Sequence, residues 1–170
     1  MRASGLDAAC VANIVALEWH KLAAFLPGAL VCSLTRLDVA TSMLDPDLAR
    51  LRARLAKEIT ALAAAEGAPI NDMPVWLTGA PTALLGDAED TMVAGYRIVG
   101  ERTRAQGVAL YPSMTTDIMA GRPTELEGTA GDLLLRADRH RFAVPALRAC
   151  TELLRGIERA HHNGAENAAP

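Results

Sequence analysis

The sequence predicts an all-α helical bundle, and three observations support that class. Hydrophobic residues make up 51% of the 170 residues, which is enough apolar material for a packed core. Aromatic residues are only 4%, so the core must be built from alanine and aliphatic side chains, among which Ala and Leu favour helix. In several segments the apolar residues recur every three or four positions, which is the period of an amphipathic helix.

Charge and cysteine content exclude several classes of protein. The net charge of -3 has the wrong sign for a protein that must neutralise nucleic-acid phosphates. We find no uninterrupted apolar run of about 18 residues and no signal-peptide pattern, which predicts a cytoplasmic protein without a membrane partner. The three cysteines (Cys10, Cys32 and Cys150) are scattered, so they indicate neither a disulfide framework nor a metal site.

The N-terminal half is predicted to hold two long helices. The first covers roughly residues 7–26, and Pro27 and Gly28 are expected to break or kink it. Residues 31–37 fit either a further helical stretch or a short extended piece. The second helix begins at Asp45, a natural N-cap that is followed by proline, and Gly67 ends it. Its apolar stripe consists of Leu48, Leu51, Leu55, Ile59 and Leu62.

The C-terminal half is predicted to hold four more helices. Residues 67–88 are punctuated by Pro and Gly and are expected to form a long loop. A helix over about residues 88–104 follows, and Gly107 ends it. Ser113 is expected to cap a short helix that ends at Gly121, while Pro123 and Pro145 open the last two. The chain thus forms one domain over residues 1–162 with a disordered tail at 163–170.

Lys21 is the first residue that can carry chemistry. It is one of only two lysines and lies next to Trp19 and Leu22. Partial burial beside such side chains disfavours the charged ammonium and lowers the pKa of the lysine, which makes it a usable proton donor near neutral pH. In the alternative interpretation its stem covers apolar surface while its ammonium reaches water and pairs with Glu18.

A second group of polar residues lies between positions 111 and 131. Ser113 and Asp117 are four residues apart on one side of a short predicted helix, and Glu125 falls in the first turn after Pro123. All three residues can also be explained without a catalytic role, with Ser113 as an N-cap, Asp117 as a surface acid and Glu125 as a complement to the helix dipole. The four histidines have no metal-ligand spacing, and the basic group Arg136, Arg139, His140 and Arg141 is typical of an exposed helix end.

Taken together, these two segments resemble the C-terminal domain of the ketopantoate reductase (2-dehydropantoate 2-reductase) family. The resemblance rests on the WxKL sequence at Trp19–Leu22, then Ser113-Met114, Asp117, Gly121-Arg122, Thr124-Glu125 and Gly131, and finally Val144-Pro145, in this order and at these separations. It implies an all-α domain similar to that of 6-phosphogluconate dehydrogenase. In the family this domain packs against an N-terminal Rossmann domain, and the substrate binds between the two.

The family resemblance also implies an activity and roles for three residues. The family enzyme passes hydride from NADPH to the keto carbon of ketopantoate and gives pantoate, on the route to pantothenate and coenzyme A. Lys21 aligns with the lysine that acts as the acid, and Glu125 with the glutamate that places the substrate hydroxyl and the lysine. Ser113 aligns with the serine that donates a hydrogen bond to the substrate carboxylate. Asp117 aligns with an acid that we take to be structural.

The sequence departs from the family pattern in two ways. Phe25, Ala29 and Leu110 stand where family members usually carry asparagines, which leaves fewer amide donors for a polar substrate. The sequence has no GxGxxG or Walker A loop, so the nucleotide-binding half is missing from it. We therefore expect either the substrate-side half of a 2-keto acid reductase, with a Rossmann-domain partner or a homodimer, or a non-catalytic helical dimerisation or protein-interaction module. On its own the chain is expected to be inactive.

Overall fold

The structure, a computed structural model, describes residues 13–68, 70 and 88–167, and the regular elements of this part of the chain are all helical. The all-α class is therefore confirmed. The elements are α1 (Ile14–Thr35), α2 (Val39–Leu44), α3 (Pro46–Ala65), α4 (Glu89–Ala105), α5 (Ser113–Met119), a π-helical turn (Glu127–Gly131), α6 (Asp132–His140) and α7 (Pro145–Asn167). Most of the loop predicted at 67–88, with Cys10 and residues 168–170, lies outside the described residues.

Helix α1 runs through Pro27 without ending, so of the break or kink predicted at Pro27 and Gly28 the break is wrong. A proline inside a helix removes one backbone hydrogen bond and costs about 3 kcal/mol. The cost is offset because buried side chains lie on both sides of the proline, among them Leu26, Leu30 and Val31. The segment 31–37, which the sequence left undecided, is helical as far as Thr35, and α1 ends at Arg36 in the left-handed conformation.

Helix α3 begins and ends where the sequence predicts. The Asp45 carboxylate accepts hydrogen bonds from the backbone N–H groups of Asp47 and Leu48, at 3.1 and 3.0 Å, and Pro46 occupies the first turn. Gly67 has a φ of 74°, a left-handed conformation that glycine adopts without strain and that commonly terminates a helix. Of the predicted stripe, Leu55, Ile59 and Leu62 are buried, whereas Leu48 and Leu51 are partly buried.

The C-terminal helices follow the predicted order with three differences. Ser113 is the first residue of α5 but makes no capping hydrogen bond. Glu125 precedes the helical segment instead of lying in its first turn, because the helix after Pro123 begins with the π-helical turn at Glu127. Helix α7 opens at Pro145 as predicted and continues to Asn167, into the segment predicted to be a disordered tail from Asn163.

The core lies around α1, which packs against α3, α5 and α7, while α2 packs against α4. The Cys32 and Cys150 side chains are buried in it as free thiols. By length and composition alone, α1 is long and apolar enough to cross a membrane, although Glu18 and Lys21 interrupt its apolar run. Half of that stretch is buried inside the protein, and core helices of soluble proteins meet the same two criteria.

Candidate functional site

A partly open cleft of about 960 Å³ runs along α1 and contains the predicted site residues. This volume is within the range of small-molecule sites. Most of the lining is apolar, and it comes from α1, α2, α4 and the segment before α5. The apolar lining residues include Leu22, Phe25, Ala29, Val39, Met43, Tyr96, Val99, Leu110, Tyr111 and Met114. A smaller set of polar side chains completes the cleft, which is the usual composition of an organic-ligand site.

Lys21 lines this cleft from the second turn of α1. Trp19 is buried beneath the helix, at 5% exposure, but Lys21 itself is exposed, so the partial burial expected from its sequence neighbours is not present in this chain. Lys21 forms no ion pair with a described residue, which includes the alternative partner Glu18. The ammonium is therefore available to a ligand in the cleft.

Ser113 and Glu125 line the same cleft as Lys21, although 12 residues separate the two. The Ser113 hydroxyl donates a hydrogen bond to Oε1 of Glu125, at 3.2 Å. This contact replaces the capping bond that the sequence predicted for Ser113. Asp117 does not join the pair: its Oδ1 accepts two hydrogen bonds from Arg122, at 2.9 and 2.7 Å, which closes the turn after α5.

The backbone on either side of Glu125 is held by α7. The Glu158 carboxylate accepts hydrogen bonds from the backbone N–H and the hydroxyl of Thr124, at 3.1 and 2.6 Å. One residue after Leu126, Glu127 forms a two-bond ion pair with Arg155, at 2.6 and 2.7 Å. Hydrogen bonding to Arg155 lowers the pKa of Glu127. These contacts fix the position of Glu125 relative to Ser113.

Arg52 is a lining residue that the sequence did not single out. It lies on α3 and is only 4% exposed. Its Nη1 donates to the hydroxyl of Ser42 at 3.0 Å and to the carbonyl of Val39 at 3.4 Å, and its guanidinium lies 5.7 Å from the ring centre of Tyr96. Burial lowers the pKa of Arg52 from its ordinary value, although an arginine still remains charged.

Arg136 also lines the cleft, and together with His140 it forms structural contacts, whereas the rest of the predicted basic group is exposed. Its guanidinium donates to Asp132 and to Glu66, both at 2.7 Å, and lies 5.9 Å from the ring centre of Trp19. His140 contacts the other oxygen of Glu66 at 2.7 Å. The hydrogen bond from Arg136 lowers the pKa of Glu66. Arg136 is thus already paired, which distinguishes it from Lys21 and Arg52.

These residues do not fit a nicotinamide dinucleotide. Such a cofactor needs a glycine-rich turn whose backbone N–H groups hold the pyrophosphate, and the sequence contains no such turn. The cleft also has no excess of positive charge for a pyrophosphate, since three carboxylates, Glu18, Glu125 and Asp132, balance the three cations among its described lining residues. The described part of the chain also brings no group of three or more His, Cys, Asp or Glu side chains together for a metal ion.

Sequence reasoning missed two residues that shape the cleft, Arg52 and Glu158. Arg52 lies on the same helix as the exposed Arg54, so residue type alone does not indicate that it is buried. The only signal is the helical period, because Arg52 is three residues before Leu55 and seven before Ile59, both of which are buried. Glu158 accepts a hydrogen bond from Thr124, which is 34 residues away, and no local sequence pattern predicts a contact over that separation.

The chain is similar to known enzymes over nearly its whole length. The sequence family described as "Ketopantoate reductase PanE/ApbA C terminal" matches residues 13–158. Among solved structures, a dimeric ketopantoate reductase from Staphylococcus aureus is 26% identical, with a TM-score of 0.66 over 92% of this chain and 47% of that one. A 2-dehydropantoate 2-reductase from Methylococcus capsulatus has a TM-score of 0.68 at 22% identity, over 94% of this chain and 48% of that one.

A D-mandelate dehydrogenase with NADH and anilino(oxo)acetate has the same fold, with a TM-score of 0.72 at 19% identity over 95% of this chain and 46% of that one. No curated protein matches the sequence. The chain spans about half the length of the solved enzymes that it resembles. With the family match covering most of the described residues, the chain belongs to the ketopantoate reductase C-terminal domain family.

Proposed function

We propose that this chain is the substrate-side domain of an NADPH-dependent 2-keto acid reductase, acting on a substrate such as 2-dehydropantoate. The observation that carries the proposal is that Lys21, Ser113 and Glu125 line one cleft, with the Ser113 hydroxyl 3.2 Å from the Glu125 carboxylate. These are the three positions that match the family's acid, serine and glutamate. We also propose that residues 1–162 form a single domain.

Lys21 acts as the proton donor in this proposal. When the keto carbon is reduced, its oxygen gains negative charge and must receive a proton or be held by a cation. Lys21 lines the cleft and has no ion-pair partner among the described residues, so its ammonium is free to contact that oxygen.

Glu125 and Ser113 position the substrate in this proposal. Glu125 lines the same cleft as Lys21 without pairing with it, and its carboxylate can accept a hydrogen bond from the hydroxyl formed by reduction. In the structure, the Ser113 hydroxyl donates its one hydrogen bond to the Glu125 carboxylate. On binding, it turns to donate to the substrate carboxylate, which exchanges one charged acceptor for another.

The hydride would come from NADPH, which we expect to be bound by a Rossmann domain that packs over the cleft. Such a domain would be supplied by a partner chain or by another part of the same assembly. The proposal is consistent with a homodimer and with a cytoplasmic location. The apolar side chains of Phe25, Ala29 and Leu110 line the cleft in place of the family's asparagines. The cleft therefore favours a substrate with an apolar body.

The two lysines of the chain provide a matched test of this proposal. The full chain is mixed with the nucleotide-binding domain of a ketopantoate reductase, and NADPH oxidation is followed with a series of 2-keto acids. Replacing Lys21 with alanine should lower the rate by about 100-fold or more, the usual contribution of a positioned acid. Lys57, which is exposed on α3, serves as the control. Equal rates for Lys21→Ala and Lys57→Ala would show that Lys21 is not the acid.

A second candidate function is a non-catalytic dimerisation or protein-interaction module. The observation that favours it is a group of exposed large apolar side chains at the cleft: Phe25 is 53% exposed, Leu110 is 45% and Tyr111 is 40%. Apolar residues exposed next to one another are typical of surfaces that bind another protein.

Light scattering after size-exclusion chromatography separates the two candidates. An interaction module that pairs with itself through this surface should be a dimer that Phe25→Asp converts to a monomer. Leu135→Asp is the matched control, because Leu135 is 65% exposed on α6 and does not line the cleft. A wild-type monomer, or a dimer that Phe25→Asp leaves intact, would contradict self-association through the cleft.

A further inference from the structure

Arg52 presents free hydrogen-bond donors to the cleft. A guanidinium has five N–H donors, and both hydrogen bonds of Arg52 come from Nη1. Nε and Nη2 have no hydrogen-bond partner among the described residues, yet neither atom is sealed from solvent, although the residue as a whole is 96% buried. Nη2 lies against Gly28, which also lines the cleft. The free N–H groups of Arg52 therefore face the cleft.

The charge of Arg52 is also not neutralised by a carboxylate of the described residues. No carboxylate of the described residues forms an ion pair with it, and its two acceptors are a neutral hydroxyl and a carbonyl. The charged and polarisable groups that act on it are Cys32 and Tyr96, both of which are neutral near pH 7. A buried charge without a partner is costly, so such a group is usually matched by an anion when the site is occupied.

Arg52 and Lys21 lie at different places along the cleft. Gly28, which contacts Nη2 of Arg52, is seven residues after Lys21 on the same side of α1. Seven residues of helix advance about 10 Å, so the two cations mark positions roughly two turns apart. The wall between them is apolar, and Leu22 and Phe25 belong to it.

We propose that the ligand of this cleft is a 2-oxo acid that carries a second, distal carboxylate, and that Arg52 binds this carboxylate. Nε and Nη2 of one guanidinium are arranged to hold both oxygens of a carboxylate. The oxo group lies at Lys21, the carbon chain crosses the apolar wall and the distal carboxylate neutralises Arg52. This inference rests on the proposed function, because it takes Lys21 as the position of the oxo group.

Two ligands that differ in one group test the inference on the full wild-type chain. Isothermal titration calorimetry compares 2-oxo-octanedioate with 2-oxo-octanoate, in which a methyl group replaces the distal carboxylate. The diacid should bind roughly tenfold more tightly or better, since a hydrogen-bonded charge pair in a buried site contributes that much. In a nitrogen-labelled sample, the Nε–H resonance of Arg52 should shift with the diacid and not with the monoacid.

Two substitutions assign the preference to Arg52 and separate it from Lys21. Arg52→Met should remove the preference for the diacid and leave the affinity for the monoacid unchanged. Arg54→Met is the matched control, because Arg54 lies on the same helix but is exposed and paired with Glu89 at 3.2 Å. Lys21→Met should weaken both acids by the same factor and keep the preference. Should Arg52→Met fail to fold, Arg52→Lys is used instead. It keeps the positive charge but lacks the pair of parallel N–H donors of a guanidinium, so it should reduce the preference for the diacid.

Each outcome decides one of the two proposals. Equal affinities of the wild-type chain for both acids, or a preference that survives Arg52→Met, overturn the distal-carboxylate inference; the proposed function stands if Lys21→Met still weakens binding. A preference that depends on Arg52 while Lys21→Met has no effect supports anion binding at Arg52 and overturns the role of Lys21. Absence of binding by either acid overturns the distal-carboxylate inference, and the proposed function is then decided by NADPH oxidation in the presence of the nucleotide-binding domain.

Discussion

Gly28 has only a hydrogen atom as its side chain, and this leaves room for the buried guanidinium of Arg52. A methyl group at Gly28 would overlap Nη2 of Arg52, so Gly28→Ala must displace the guanidinium from its bonds to Ser42 and Val39. We expect a loss of about 1–3 kcal/mol in the free energy of unfolding, measured by urea denaturation. Gly128→Ala is the control, because a methyl group there meets no atom within 4 Å. Equal stabilities of the two variants would contradict the close packing of Arg52 on α1.

Cys150 illustrates how burial controls the reactivity of a single side chain. The thiol is 4% exposed on α7, and burial, with a smaller effect from Glu58, raises its pKa from 9.0 to about 11. Two pKa units leave about 100-fold less thiolate at any pH below 9, and only the thiolate is alkylated.

In a variant that carries Cys10→Ser and Cys32→Ser, iodoacetamide should therefore modify Cys150 at least about 100-fold more slowly in the native protein than in urea. Mass spectrometry of timed samples measures both rates. Native and denatured rates within tenfold of each other would mean that α7 opens often or that Cys150 is not buried.

At the scale of elements, the sequence predicted those helices whose ends are set by local chemistry. Asp45, Pro46 and Gly67 act within a few residues of the ends of α3, so α3 was predicted correctly. Pro27 was misread because its local penalty is outweighed by the burial of α1 on both sides of it. The irregular start of the helix after Pro123 was not foreseen either, and beside it lies the contact between Thr124 and Glu158 of α7, which joins residues far apart in the sequence.

Helix α7 has a cap that comes from another helix. The two oxygens of Glu58, on α3, accept hydrogen bonds from the backbone N–H groups of Ala146 and Leu147, at 2.9 and 2.8 Å. These N–H groups lie in the first turn of α7, where helices lack internal acceptors and where the dipole favours a negative charge.

Glu58→Ala should therefore lower the free energy of unfolding by about 1–2 kcal/mol, in the range of a lost N-cap. Urea denaturation followed by circular dichroism measures the change. The neighbouring Lys57→Ala is the control, because Lys57 is exposed on the same helix and should alter the stability by less than about 0.5 kcal/mol. A similar loss in both variants would show that the tertiary cap contributes nothing specific.

At the scale of the whole molecule, the cleft was only partly predictable. The sequence order indicated Lys21, Ser113 and Glu125 because they match spaced family positions, and the fold brings all three to the same cleft. Arg52 was not identified, since its importance depends on the absence of an acid near it once α3 has packed on α1. The spacing of residues along the chain predicts which helix face they share, but the partners of a buried charge are decided by helix packing.

The stability of the whole domain should depend on pH through its paired carboxylates. The pKa of Glu66 is lowered by its hydrogen bond from Arg136, that of Glu127 by Arg155 and that of Asp38 by the hydroxyl of Thr41. A carboxylate with a lowered pKa in the folded state favours folding above the pKa of the unfolded chain. That contribution is lost as the pH falls through the lower value, because the unfolded chain binds protons first.

We therefore expect the free energy of unfolding to fall steadily as the pH drops below about 4.5, the ordinary value for a glutamate. Urea denaturation at a series of pH values measures this curve. Glu66→Gln should flatten it, because the amide keeps the shape of the side chain but cannot titrate. Glu152→Gln should leave the slope unchanged, since Glu152 is exposed on α7 and forms no ion pair with a described residue. A wild-type curve that stays flat to about pH 3 would mean that the contacts of Glu66 with Arg136 and His140 do not hold α6 to the end of α3 in solution.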